Sequence, residues 1–162
     1  MQEDYLNIGE VKAFESPVLL TCYGLGSCIG LYLFDSLNKR GGGAHIMLGE
    51  EEKNETGAKQ NLAYAKQAID ELLKILYNFS ATPTWIRAKI IGGAKVIKSE
   101  AFNVGSANIE VVKTYLIKKG VYIASMDVGG EWVRTGKFET NTGKLLVTAT
   151  HNTSNERKMY YL

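Results

Sequence analysis

Residues 18–35 read VLLTCYGLGSCIGLYLFD, and this stretch decides the fold. It holds two apolar runs that contain β-branched and aromatic residues, and these predict two strands, Val18–Tyr23 and Cys28–Asp35. The segment between them, Gly24-Leu25-Gly26-Ser27, predicts a tight turn, because glycine adopts backbone conformations that other residues avoid. A strand, a glycine turn and a second strand therefore follow one another, with a cysteine where the turn ends.

Further apolar runs of this kind, bounded by glycines, lie on both sides of the central stretch. They predict a short strand near Tyr5–Ile8 and the strands Ala44–Leu48, Trp85–Ile91, Val121–Val128, Val133–Glu139 and Lys144–Thr150. The glycine cluster Gly41-Gly42-Gly43 is interpreted as the turn that precedes the strand carrying His45.

Two segments have the three- and four-residue apolar spacing of amphipathic helices. The first falls between Gly57 and Phe79, and the second runs from Ser106, the predicted N-cap, to Lys119. Two helices cannot alternate with seven or eight strands as a doubly wound sheet requires. The sequence thus predicts an α+β fold: layered mixed or antiparallel β-sheets with two main helices packed on one side.

Composition restricts the possible classes of function. The chain has 162 residues, of which 45% are hydrophobic and 22% charged, so one compact domain over residues 1–162 is expected. Nineteen Lys and Arg against 17 Asp and Glu leave a net charge of +2, and their scattered positions argue against nucleic-acid binding. No apolar run approaches the roughly 20 residues that cross a bilayer, and the acidic start lacks the cationic stretch of a signal peptide. We therefore expect a cytoplasmic protein without membrane insertion.

The two cysteines and two histidines are too few for a disulfide scaffold or a typical zinc site, so no metal is expected. Cys28 is nevertheless a candidate nucleophile, because the glycine turn before it exposes backbone N–H groups that can stabilise an oxyanion. Its base must be His45 or His151. His45 is preferred because it follows the glycine cluster and opens a predicted strand, in the same strand-entry position as Cys28 and 17 residues later, so that two adjacent strands could bring these starts together. The alternative is that both side chains are structural, Cys28 as a small buried hydrophobe. Cys22 has that interpretation, and His151 is expected to be solvated.

Two glycine motifs suggest other sites. Gly24-Leu25-Gly26 is not a dinucleotide fingerprint, because Ile29 stands where the third glycine is needed and a strand follows in place of a helix. Gly92 and Gly93 follow a predicted strand, and a plain backbone bend is the preferred interpretation, with a loop that cradles an anion as the alternative. They are also candidates for lining a substrate groove.

Several of these motifs occur together and in order along the chain. They are Gly24-Leu25-Gly26-Ser27-Cys28, Gly43-Ala44-His45 with Met47-Leu48, Ala88–Ala94, Asn103-Val104-Gly105 with Asn108 before the second helix, Asp127–Gly130 and Thr142–Val147. In this set the sequence resembles the chemoreceptor glutamine deamidase family CheD, over about residues 8–147.

The resemblance implies a layered fold of the cytotoxic-necrotizing-factor type and a cysteine-dependent protein-glutamine glutaminase. Such an enzyme hydrolyses receptor glutamine side chains to glutamate, with Cys28 as nucleophile and His45 as base, and with oxyanion donors in the backbone of Gly26, Ser27 and Cys28. The resemblance also implies binding of a CheC-type chemotaxis phosphatase. It implies no cofactor and no metal.

The sequence departs from the family pattern at two positions. The family has a threonine six positions before the nucleophile, where this chain has Cys22, and Thr21 replaces it only if a bulge shifts the strand register. Cys22 is thus a possible supporting residue, with a thiol that is a weaker hydrogen-bond partner than a hydroxyl. A disulfide between Cys22 and Cys28 would silence the nucleophile if the two lie close. Lys66 stands where the family has an acidic residue.

Three functions follow from these residues. The first is a working deamidase. The second is an adaptor that binds the phosphatase or receptors without meaningful turnover, which the change at Cys22 favours. The third is a cysteine amidohydrolase that acts on the glutamines of another protein.

Overall fold

The computed structural model describes residues 1–49, 61–97 and 103–162. In these ranges it contains ten strands, two α-helices and one 3₁₀ turn at Pro83–Trp85. The strands are β1 Gln2–Tyr5, β2 Val11–Phe14, β3 Val18–Leu25, β4 Ile29–Asp35, β5 Arg40–Ile46, β6 Ile86–Gly92, β7 Tyr122–Val128, β8 Trp132–Glu139, β9 Leu145–His151 and β10 Arg157–Tyr161. The helices are α1 Ala65–Asn78 and α2 Val104–Lys118.

The strands form two five-stranded mixed sheets. The outer sheet has the order β1-β3-β8-β9-β10, and the central sheet has the order β2-β5-β4-β6-β7. Only two of the described strand pairs are parallel, β1 with β3 and β6 with β7. The predicted α+β class with mixed sheets is confirmed. The single-domain organisation and the likeness to the cytotoxic-necrotizing-factor fold stay predictions.

Strand β4 is covered on both faces, by the two helices on one side and by the outer sheet on the other. Its residues Ile29, Leu31 and Leu33 pack in the cluster that contains α1 and α2, whereas Tyr32 packs toward the outer sheet with Phe138. Successive side chains of a strand point to opposite faces, so a strand covered on both faces is apolar throughout. This explains the unbroken apolar run at 29–34.

The helices cover one face of the central sheet. Helix α1 buries the apolar stripe that its spacing predicts, including Ile69 and Leu72. Its predicted beginning near Gly57 lies outside the described residues. Helix α2 begins two residues before the predicted N-cap: the side chain of Asn103 caps it and accepts a hydrogen bond from the N–H of Ser106 at 3.0 Å. Ser106 is therefore the third helical residue, and its prediction as the cap was wrong.

The interpretation of Gly41-Gly42-Gly43 as a turn was also wrong. All three residues belong to β5, which pairs with β2 and β4 along its length. A Cβ on Gly42 would lie 2.3 Å from the carbonyl oxygen of Lys12, so glycine permits a close approach of β2 here instead of a reversal. The turn lies before Arg40, so His45 stands near the end of β5, and its predicted position at the entry of a strand was wrong.

Three short strands differ from the sequence predictions. The first strand is Gln2–Tyr5 and not Tyr5–Ile8, whereas β2 and β10 were not predicted at all. Strands β2 and β10 are four and five residues long, and β10 is mostly exposed. Pairing with β5 and β9 defines them, which no local apolar pattern indicates.

Candidate active site

The turn that carries Cys28 connects the two sheets. It consists of Gly26, Ser27 and Cys28, between the end of β3 and the start of β4. Each of its three carbonyl oxygens accepts a hydrogen bond: Gly26 from the N–H of Ala94 at 2.8 Å, Ser27 from Asn108 Nδ2 at 2.9 Å, and Cys28 from the N–H of Gly93 at 2.9 Å. A planar trans peptide directs its N–H opposite to its C=O. These bonds therefore aim the N–H groups of Ser27 and Cys28 away from Asn108 and Ala94.

The antiparallel pairing of β4 and β5 brings His45 next to this turn. His45 lies opposite Gly30, and Ile46 lies opposite Ile29, the first residue of β4. Cys28 lies one residue beyond this last pair and two residues from Gly30, the residue opposite His45. The end of one strand thus meets the start of the other, and Cys28 and His45 line the same pocket.

The ring of His45 has a defined orientation. It is 5% exposed, and its Nδ1 lies 3.2 Å from the carbonyl oxygen of Leu6. A carbonyl only accepts, so Nδ1 carries the hydrogen and donates it. In the neutral ring Nε2 is then the basic nitrogen, and it is buried without a hydrogen-bond partner in the described part of the protein. The ring therefore presents a free acceptor.

Burial shifts the pKa values of Cys28 and His45 in opposite directions. It raises the pKa of the Cys28 thiol, with a partial offset from the residue's own backbone N–H. It lowers the pKa of the His45 imidazole, whereas the Leu6 carbonyl and the charge of Glu10 raise that pKa by smaller amounts. Both shifts favour the uncharged forms near neutral pH, a thiol beside a neutral imidazole. That is the resting state needed for general-base activation of a thiol.

The pocket is open at an aromatic rim. Its volume is about 310 Å³, and its lining includes Tyr5, Ile8 and Tyr23 along with Cys28 and His45. The rings of Tyr5 and Tyr23 stack with their centroids 6.0 Å apart, and both side chains are about half exposed. Cys22 and Leu25 both point into the core, and the residues between them at the irregularity of β3, Tyr23 and Gly24, lie on the outer side. The rim thus offers apolar surface beside the thiol.

Cys22 lies inside the protein and not at this rim. It is fully buried between the two sheets, in the cluster that contains Leu20, Leu25 and Tyr32. Burial, followed by the charge of Cys28, raises its pKa to about 12. The strand irregularity falls after Cys22, so Thr21 keeps the regular alternation and points to the opposite face. Thr21 therefore does not take the position of the missing hydroxyl.

Gly92 and Gly93 lie behind the Cys28 turn. Their φ angles are +106° and +65°, and a Cβ on Gly92 would lie 2.2 Å from the carbonyl oxygen of Cys28. Neither belongs to the lining of the pocket that holds Cys28 and His45. Their contacts make them a support for the turn, and a contribution to a substrate groove stays a prediction.

The other predicted residues lie elsewhere. His151 ends β9, and its Nε2 is 3.5 Å from Glu131 Oε2 while its ring meets Trp132 edge-on, so it is packed where solvation was expected. Asn108 lies within α2 and not before it. Sequence reasoning gave no role to Asn108 or to the Leu6 carbonyl. A polar residue on the buried stripe of a helix is the one signal that could have indicated Asn108.

The described residues hold neither a metal-binding cluster nor a membrane-spanning helix. No group of three or more His, Cys, Asp or Glu side chains is arranged to hold a metal ion. Neither α1 nor α2 has the length and apolar character needed to span a bilayer.

Comparison with known proteins identifies the family. Residues 47–149 match the family model described as CheD chemotactic sensory transduction. The "Probable chemoreceptor glutamine deamidase CheD" of Thermococcus kodakarensis is 33% identical over 91% of this chain and 92% of its own. The "Chemoreceptor glutamine deamidase CheD" of Thermotoga maritima is 34% identical over 88% of each chain. The corresponding probable deamidase of Archaeoglobus fulgidus is 35% identical over 90% of this chain and 92% of its own. Matches of this extent show that the chain belongs to the CheD family.

Proposed function

We propose that the protein is a cysteine-dependent glutamine deamidase that converts glutamines of chemoreceptor cytoplasmic domains to glutamate. The names of its relatives support the substrate class. The observation that carries the mechanism is the shared pocket of Cys28 and His45, with His45 Nε2 free to accept a proton. The proposal implies a cytoplasmic protein, because the receptor domains that it modifies lie there.

In the first half-reaction, His45 Nε2 takes the thiol proton as Cys28 Sγ attacks the carboxamide carbon of glutamine. A C–S bond forms, and the carbonyl oxygen becomes an oxyanion that the N–H groups of Ser27 and Cys28 stabilise. The imidazolium then gives its proton to the amide nitrogen, the C–N bond breaks, and ammonia leaves behind a thioester.

In the second half-reaction, water attacks the thioester carbon while His45 Nε2 accepts a proton from it. The second tetrahedral intermediate collapses with cleavage of the C–S bond. The proton on His45 returns to the thiolate, which restores the thiol and releases glutamate. Throughout, the Leu6 carbonyl holds the Nδ1 hydrogen, so that the ring always presents Nε2 to the reacting atoms.

The test is incubation with receptor cytoplasmic fragments and detection of new glutamates by mass spectrometry. Cys28→Ala should give no product, and His45→Gln should lower kcat by about 10²- to 10⁴-fold, the usual effect of losing a general base. His151→Gln is the matched control, since it removes the other histidine, and it should retain activity. Equal absence of product with wild type and Cys28→Ala, across suitable receptors, would refute the deamidase.

The second candidate is an adaptor that binds receptors or a CheC-type phosphatase with little turnover. Cys22 favours it, because a buried thiol stands where the family resemblance places a hydroxyl. Binding of the phosphatase itself is proposed from the resemblance. Retained binding to either partner without formation of glutamate would support the adaptor.

A further inference from the structure

The side chain of Asn108 connects the two segments that carry the proposed catalytic pair. It lies on α2 and is 2% exposed. Its Nδ2 donates to the carbonyl oxygens of Ser27 at 2.9 Å and Met47 at 3.0 Å, and its Oδ1 accepts from the N–H of Gly49 at 2.7 Å. Both hydrogens and the oxygen of one carboxamide are therefore engaged.

These contacts occur where the sheet no longer joins the two segments. The pairing of β4 with β5 ends at Ile29 and Ile46. Cys28 and Met47 are the next residues outward, beyond the last paired residues. Other hydrogen bonds hold each segment to separate neighbours, Cys28 to Gly93 and Met47 to Ala63. Beyond the ladder, the carbonyl oxygens of Ser27 and Met47 are joined through the carboxamide of Asn108.

The chemistry of the bridge requires a carboxamide. Two carbonyl oxygens repel each other and need donors, whereas the Gly49 N–H needs an acceptor. Asparagine supplies two N–H donors and one oxygen in a fixed plane, while aspartate of the same size supplies no donor at neutral pH. Leucine would fill the volume and satisfy none of the three groups.

We propose that Asn108 is a positioning residue that sets the approach of Cys28 Sγ to His45 Nε2 by bridging Ser27 to Met47. This inference rests on the proposed function, since it assumes that the two groups act together. Asn108 itself faces the backbone behind the turn and is not a lining residue of the pocket.

The experiment compares Asn108→Ala and Asn108→Asp with Asn103→Ala, a matched control that removes the cap of the same helix. Steady-state kinetics are measured on receptor fragments, and folding is followed by thermal unfolding. Because a displacement of about 1 Å costs about 10²-fold in rate, each Asn108 variant should lower kcat by about 100-fold and change KM by less than about twofold. Asn103→Ala should lower the unfolding temperature without changing kcat. An equal loss of kcat in the control would overturn the proposal.

A double-mutant cycle with His45→Gln separates positioning from general damage. If Asn108 acts through the pairing of Cys28 with His45, then the double variant should be no slower than His45→Gln alone. Additive losses would overturn the proposal. Should Asn108→Ala fail to fold, Asn108→Asp carries the cycle, since it preserves the volume and an acceptor for Gly49.

Alkylation of Cys28 by iodoacetamide gives a readout that needs no receptor. His45→Gln and Asn108→Asp should slow it by similar factors at neutral pH, with no further decrease when combined. This pattern would support the positioning role even if no deamidation were found, so failure of the proposed function is distinguishable from failure of this inference. An alkylation rate in Asn108→Asp that equals the wild-type rate would overturn the inference.

Discussion

Replacement of Gly92 by alanine tests how tightly the fold holds the Cys28 turn. The new Cβ would lie 2.2 Å from the carbonyl oxygen of Cys28, and real contacts do not fall below 3.0 Å, so that carbonyl must move by about 0.8 Å. The φ angle of +106° adds strain for any side chain, about 1–3 kcal/mol, and the hydrogen bond from Gly93 to Cys28 is lost for about 1 kcal/mol more. The expected loss of unfolding free energy is about 2–4 kcal/mol.

The displacement also moves the nucleophile. A shift approaching 1 Å should lower kcat on receptor fragments by about 100-fold, because reaction requires close alignment of the attacking atom. Gly120→Ala is the matched control: its φ is +72°, yet nothing lies within 4 Å of a Cβ there. It should lose about 1–2 kcal/mol of stability and keep its rate.

Urea unfolding and steady-state deamidation measure the two effects separately. If Gly92→Ala and Gly120→Ala lose equal stability and equal activity, then backbone strain alone explains both variants. The close contact between Gly92 and the Cys28 carbonyl would then have no bearing on catalysis, which would refute the link between this contact and the position of the nucleophile.

Three further predictions concern the pocket and its thiols. The pH profile of kcat/KM should have a broad plateau. Its acid limb should lie below the ordinary range of histidine, because burial lowers the pKa of His45, and its alkaline limb above the ordinary range of cysteine, because burial raises the pKa of Cys28. An acid limb above the ordinary histidine range would contradict the buried neutral ring. Joint replacement of Tyr5 and Tyr23 by alanine should raise KM about tenfold and leave kcat within about twofold, because the rim would contribute about 1.4 kcal/mol to receptor binding. Steady-state kinetics at varied receptor concentration measure this, and a fall in kcat at constant KM would show that the rim takes part in the chemical step. Iodoacetamide should label one thiol in the native protein and two in urea, because Cys22 is fully buried and its pKa is raised to about 12. Mass spectrometry counts the labels, and two labels in the native state would show that Cys22 is accessible.

Local signals in the sequence predicted most of the elements. The apolar run at 18–35 predicted β3 and β4 within two residues at each end, and helical spacing indicated α1 and α2. Such patterns predict the element correctly where a segment buries one apolar face, because its apolar residues then recur with the period of a helix or a strand. The N-cap of α2 was missed because Asn103 and Ser106 are both good caps, and only the helix start distinguishes them.

Errors arose where a partner strand decides the conformation. Three glycines at 41–43 are typical of a turn in isolation, yet they form β5 because β2 packs too closely for a side chain at Gly42. Strand β10 buries little of its surface and is defined by its pairing with β9. Tertiary contacts override local propensity in such segments.

For the site, the sequence by itself determined which chemistry is available: one thiol after a glycine turn, one suitable imidazole, and the family motifs around them. Only the tertiary structure decided their relationship. Antiparallel pairing sets the end of β5 beside the start of β4, and the Leu6 carbonyl selects the tautomer of His45. Asn108 bridges the strand ends from a helix, 81 residues along the chain from Ser27 and 61 from Met47. These are contacts between distant segments, and their geometry follows from how sheets and helices pack rather than from any local pattern of residues.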